Sequence, residues 1–181
     1  FGSVDGDAPA ELFVGSVEAD KHGSANRSFK VPASVAVDRA GRVYVADYMN
    51  DRVQVFSPEG EHLKSIAATR PAIVSIDAKT QELYVFSSLI HNIFLVRQEE
   101  KIVPQLTVFG PYADPRKKLS CPLPEGYGSG NVNYLYSGYG FPLSAAVDGH
   151  TDPPTVWLAN EWSRENVMNR GRIHYGNAEL Y

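Results

Sequence analysis

The feature that most narrows the fold is a repeat. Residues 32–38 (PASVAVD), 71–77 (PAIVSID) and 142–148 (PLSAAVD) all read P-x-x-x-x-x-D. After each comes a small turn and a second apolar run: VYV at 43–45, LYV at 83–85 and VWL at 156–158. A third run follows at RVQVF (52–56), NIFLV (92–96) and RIHY (172–175), and a fourth closes the first two units at HLKSI (62–66) and QLTVF (105–109). Short runs rich in Val, Ile, Tyr and Phe, bounded by Gly, Asp and Asn, are strands rather than helices. The stretches DRAG (38–41) and SPEG (57–60) carry turn chemistry, the second with Pro to preset φ and Gly to close. Four antiparallel strands in a unit of roughly 40 residues describe one blade of a β-propeller. A two-layer sandwich also turns about every ten residues, but it does not explain why the same P-x5-D, followed by an aromatic-centred strand, returns three times.

The best-formed unit, PASVAVDRAGRVYVADYMNDRVQVFSPEGEHL at 32–63, resembles an NHL repeat. The likeness extends over VAVD, G-x-VYVAD, N-x-R-V-Q-V-F and the PEG turn. The second unit follows it more loosely, with VFSS where VAD is expected, and the third keeps P-x5-D and VWLAN but carries an insertion. This resemblance implies an all-β propeller, usually of six blades. The chain accounts for about three to four: units at about 32–70, 71–110 and 142–181, and a partial blade in 1–31 whose ELFV run (11–14) reads as an outer strand. Six blades need roughly 240 residues, so the expectation is a fragment of a larger propeller.

Composition removes several function classes. Seventeen Lys+Arg against 21 Asp+Glu leave a net charge of −4, so broad nucleic-acid binding, which rests on clustered cations, is not expected. No run of 18 apolar residues is present to span a membrane. One cysteine, Cys121, permits neither an internal disulfide framework nor a Cys-based zinc cluster. Residues 1–10 show no charged n-region and no apolar core, so no signal peptide is visible. The sequon Asn26-Arg27-Ser28 would sit on a loop accessible to glycosylation in a secreted protein, and an extracytoplasmic setting is favoured over a cytosolic one.

Strand alternation places the connection between strands two and three on the same face as the link from strand four to the next blade. We term this the top face. Two insertions fall there: the Tyr-, Gly- and Pro-rich stretch 110–140, with half of the ten tyrosines, and 161–171 (EWSRENVMNRG). Long loops on a rigid scaffold usually carry binding groups, and Trp, Tyr and Arg dominate interface energetics. The expected surface therefore comprises Tyr48, Asn50, His91, Tyr127, Tyr134, Trp162 and Arg164, and the expected role is a non-catalytic platform for a protein partner or larger assembly. The basic triplet Arg116-Lys117-Lys118 reads as a solvated loop tip.

The resemblance also supplies the alternatives. Some NHL-like propellers are metal-dependent lyases, such as those acting on peptidyl-hydroxyglycine, others are lactonase-like, and others bind RNA. The five histidines, His22, His62, His91, His150 and His174, form no H-x-H or H-x-x-x-H spacing, and no catalytic residue or cofactor is assigned. Asp38, Asp77 and Asp148 could together face a structural calcium in the channel. The preferred reading is that each ends an inner strand and accepts backbone N–H groups in the next turn. Asp47 is expected to brace its own turn with Asn50 and Arg52.

Overall fold

A computed structural model describes residues 24–88, 103–123, 143–160 and 175–178. They form eleven strands in three antiparallel sheets. Blade 1 is β1 (Pro32–Val37), β2 (Val43–Asp47), β3 (Arg52–Phe56) and β4 (His62–Ala67), in that spatial order. Blade 2 is β5 (Pro71–Ile76), β6 (Leu83–Ser87), β7 (Gln105–Phe109) and β8 (Lys117–Pro122). The third sheet contains β9 (Leu143–Asp148), β10 (Thr155–Asn160) and β11 (Tyr175–Ala178), with β10 in the middle. The innermost strands lie side by side, β1 against β5 and β5 against β9. Each sheet is a meander that adds no strand to its neighbour, so the sheets fan as propeller blades rather than stack as a two-layer sandwich.

The alternation of side chains along each strand produces the packing. On β6, Leu83 and Val85 face blade 1, where they join Tyr44, Ala46, Val53, Val55, Ile66, Val74 and Phe109 in one core. Tyr84 and Phe86 point the other way and pack with Leu106, Val108, Val156 and Leu158 toward the third sheet. A strand buried on both faces loses the polar half of the usual alternation, and all five residues of β6 are buried. Tyr112 adds a clamp between blades. Its ring lies 3.9 Å from the Arg42 guanidinium and 4.0 Å from Lys64 Nζ, both from blade 1, and its carbonyl accepts a bond from Lys64 Nζ at 2.9 Å. Stacked cations hold an aromatic ring in this way with the ring quadrupole as partner.

Both expected turns form. Gly41 (φ 79°) donates its N–H to Asp38 O, and Gly60 (φ 87°) donates to Ser57 O. Gly41 could not be replaced cheaply, because its φ lies in the left-handed region and a Cβ there would come 3.2 Å from Pro58.

The second unit differs from the sequence expectation. Its third strand is QLTVF (105–109), not NIFLV (92–96), and its fourth is Lys117–Pro122. Blade 2 therefore runs from 71 to 122 rather than to 110, and the stretch from Gly110 to Arg116 is a turn on the bottom face. The reason is register. Phe109 stands opposite Leu83 as Phe56 stands opposite Val43, and the same irregularity follows, between Val108 and Phe109 as between Val55 and Phe56. Arg116, Lys117 and Lys118 thereby leave the top face. Cys121 leaves the loop as well: it lies on β8 opposite Leu106, in the place Ile66 holds in blade 1. Burial pushes its thiol pKa up. In the third sheet the third strand is Tyr175–Ala178, starting three residues later than RIHY and sharing Tyr175 with it. The ELFV run and residues 92–96 lie outside the described residues.

Candidate functional site

The long connections share one face. The strand ends that bound the connections β6–β7 (88–104), β8–β9 (123–142) and β10–β11 (161–174) all lie at the top. Among the described residues the bottom face holds only turns, at 38–42, 57–61, 77–82, 110–116 and 149–154. Three insertions on this face thus replace the two expected.

Blade 1 shows how the top face is held. Asp47 ends β2 fully buried. Its Oδ1 accepts the Lys30 N–H at 2.7 Å. Its Oδ2 accepts Asn50 Nδ2 at 2.9 Å, Arg52 Nε at 2.7 Å and Gln54 Nε2 at 3.1 Å. Arg52 then reaches the carbonyls of Ser24, Ala25 and Ser28, and Gln54 that of Ser28. The D-x-x-N-x-R-x-Q spacing is thus one hydrogen-bonded unit in which a buried charge meets its donors. Asp51 (φ 51°) accepts Ala68 N–H on its carbonyl and Arg70 N–H on its side chain, so the two neighbouring top loops are joined. Val31 (φ 60°) and Arg70 (φ 41°) precede the first prolines of blades 1 and 2, both in the left-handed region that a β-branched or bulky residue seldom adopts.

Of the expected site residues, Tyr48 and Asn50 fall among those described. Tyr48 is 1% exposed, and its hydroxyl donates to Ser88 O at 3.2 Å, so it ties blade 1 to blade 2 beneath the loops. Asn50 is half-buried and its amide donates to Asp47. His91, Tyr127, Tyr134, Trp162 and Arg164 lie outside the described residues, as do His22 and His174.

At the bottom of the hub, Asp38, Asp77 and Asp148 each cap the turn that follows. Asp38 Oδ1 accepts the N–H of Ala40 and Arg42, Asp77 Oδ1 those of Lys79 and Thr80, and Asp148 Oδ1 that of His150. Asp38 is completed on Oδ2 by Arg42 Nε at 2.7 Å and Tyr44 Oη at 3.1 Å. Burial opposes its charge, but the bonds from Arg42 and Tyr44 outweigh it and hold the carboxyl below the usual aspartate range. Burial, then the Asp38 charge, push the Tyr44 hydroxyl up to about 12. Asp77 Oδ2 is buried without a partner and faces Gly149, where a Cβ would stand 1.9 Å from it. Sequence reasoning found these aspartates through their spacing. It had no signal for the approach of Gly149, which depends on how the third sheet docks on blade 2. Among the described residues, no three of His, Cys, Asp and Glu gather to hold a metal ion, and no helix is long and apolar enough to cross a membrane.

Comparison with known proteins agrees with this geometry in blade 1. The family described as NHL repeat matches residues 29–56, from Phe29, which packs on Phe56, through β3. No curated protein matches the chain. Among solved structures, Kuenenia stuttgartiensis hydrazine synthase is similar over 81% of this chain, at 18% identity and a TM-score of 0.42. The chain spans 37% of that protein's chain. Residues 29–56, which hold the first three strands of blade 1, match an NHL repeat, and the sheets of the described residues have the form of β-propeller blades.

Proposed function

We propose that this chain is a non-catalytic interaction platform that engages a protein partner through its top-face connections. The observation that carries this reading is that the strand ends bounding all three long connections lie on one face, while among the described residues the other face has only turns. The Asp47 unit and the Tyr48–Ser88 bond fix the base of that face. A rigid support under long Tyr-, Trp- and Arg-bearing segments lowers the ordering cost of binding. Trp162 and Arg164, from the connection between β10 and β11, are the proposed anchors. The double variant Trp162→Ala/Arg164→Ala is expected to lose co-purification of the partner while keeping the thermal unfolding midpoint of the parent chain. A fall in that midpoint with the partner still bound would make both packing residues and remove them from the interface.

A further inference from the structure

The bottom face carries a second feature that the platform reading does not use. Where the inner turns of the three sheets meet, a cavity of about 710 Å³ opens, within the size range of small-molecule sites. Its apolar part comes from Ile76, which ends the inner strand of blade 2, and Val147, next to last on the inner strand of the third sheet, and its basic side chains are Arg39, Lys79 and His150. Each sheet contributes one basic side chain through the residue just after, or two after, its capping aspartate. The recurrence of the turn therefore delivers the charges to one place.

The hydrogen-bond inventory shows which groups are free to meet a ligand. Arg39 spends one N–H on Ala78 O, and the others are unspent among the described residues. The Lys79 backbone N–H caps Asp77, while no bond holds its ammonium among the described residues. His150 shares Nδ1 with Asp148 Oδ1 at 3.0 Å, which leaves Nε2 outward. Two carboxylates are near. Asp148 is engaged with His150 through its N–H and ring. Asp77 is 1% exposed, behind Gly149, and cannot touch a ligand.

We propose that this cavity is a binding site for a small amphipathic anion, a carboxylate or phosphate ester on an apolar body. The headgroup would be held by Arg39 and Lys79 with His150 at the rim, and the body would rest on Ile76 and Val147. A guanidinium and an ammonium beside an apolar wall recognise this chemistry. Charge alone would take an inorganic ion, and the wall alone a neutral alcohol.

The test is calorimetric titration of the full chain with phenyl phosphate, hexanoate, inorganic phosphate and hexanol. Saturable one-to-one binding of phenyl phosphate or hexanoate is expected, and the stronger of the two identifies the headgroup. Lys79→Ala and, separately, Arg39→Gln should each weaken it about tenfold, the usual worth of a charged hydrogen bond. Lys79 is exposed, so its variant should keep the parent's thermal midpoint. Failure of both amphipathic anions to saturate, or affinities unchanged in Lys79→Ala, would overturn the site. Inorganic phosphate or hexanol binding as tightly as its amphipathic counterpart would overturn the paired recognition.

Discussion

Blades 1 and 2 share a strand register but not the polar groups that tie it together. In blade 1, Asp47 collects four donors at the top and Asp38 collects donors on both oxygens at the bottom. In blade 2 the position of Asp47 is Ser87, the position of Arg52 is Gln105 and the position of Gln54 is Thr107. Among the described residues the Ser87 side chain makes one bond, to Thr69 O, and Thr107 pairs with Ser120 instead. At the bottom, Glu82 stands where blade 1 has Arg42, and it faces Lys118 rather than the aspartate. The apolar alternation is conserved between the blades and the polar ties are not. Blade geometry here therefore needs the apolar pattern and the backbone turn caps, and the side-chain ties are a separate device. Where the top tie is present the connection is the short Tyr48–Asp51 loop. Where it is absent the connection from Ser88 to Pro104 opens. A blade freed from the Asp47 unit can carry a long top-face segment.

The largest expected effect tests that contrast. Asp47→Ala leaves Arg52, Asn50, Gln54 and the Lys30 N–H without their acceptor, and breaking a buried ion pair by removing one partner costs about 3–5 kcal/mol. Ser87→Ala removes a single neutral bond, worth about 1 kcal/mol. Urea unfolding of both variants measures the difference. Equal losses would mean that the Asp47 unit is not what holds blade 1's top face.

The hub should show a smaller difference of the same sign. Asp38→Asn places an amide donor opposite Arg42 Nε and Tyr44 Oη, and about 2–3 kcal/mol should be lost. Asp77→Asn keeps an acceptor for the Lys79 and Thr80 N–H groups and removes a charge whose second oxygen is buried without a partner. It should cost less than about 1 kcal/mol or stabilise. The acid limb tests Asp38 by a second route. Because the folded pKa of Asp38 is depressed, its contribution is present above the unfolded value near 4 and is lost as pH falls through the lower folded value. Asp38→Asn should flatten that part of the stability–pH curve.

How much of this could be read from the chain follows from the same contrast. All four strands of blade 1 were legible, because its turns, caps and apolar runs coincide. Blade 2 was misread at its third strand because NIFLV is an apolar run as rich in strand-forming residues as QLTVF, and the composition of a single blade does not choose between them. The choice was available by comparing units: RVQVFSP and QLTVFGP align on the Phe and Pro that close β3 and β7. Tyr48 was expected at the surface because it follows the strand end. A one-turn 3-10 segment over Tyr48–Asn50 instead buries it against blade 2. Local sequence does not report the neighbouring blade that accepts the ring. The docking of Gly149 on Asp77 was hidden for the same reason.

The smallest effect concerns the two hub tyrosines and is read at the alkaline end. Burial first, then the charges of Glu82 and Asp77, push Tyr84 up to about 12, as burial and Asp38 do for Tyr44. A folded pKa above the unfolded value near 10 means stability that is full below pH 10 and lost as pH rises through about 12. Tyr44→Phe and Tyr84→Phe should each remove part of that alkaline loss. At pH 7 they should part company. Tyr44 donates to Asp38 Oδ2, so its loss costs about 1 kcal/mol, whereas Asp77 Oδ2 accepts no bond from Tyr84 and the second variant should lie within about 0.5 kcal/mol of the parent. Equal costs at neutral pH would show that the Asp38–Tyr44 bond adds nothing to blade 1 that blade 2 lacks.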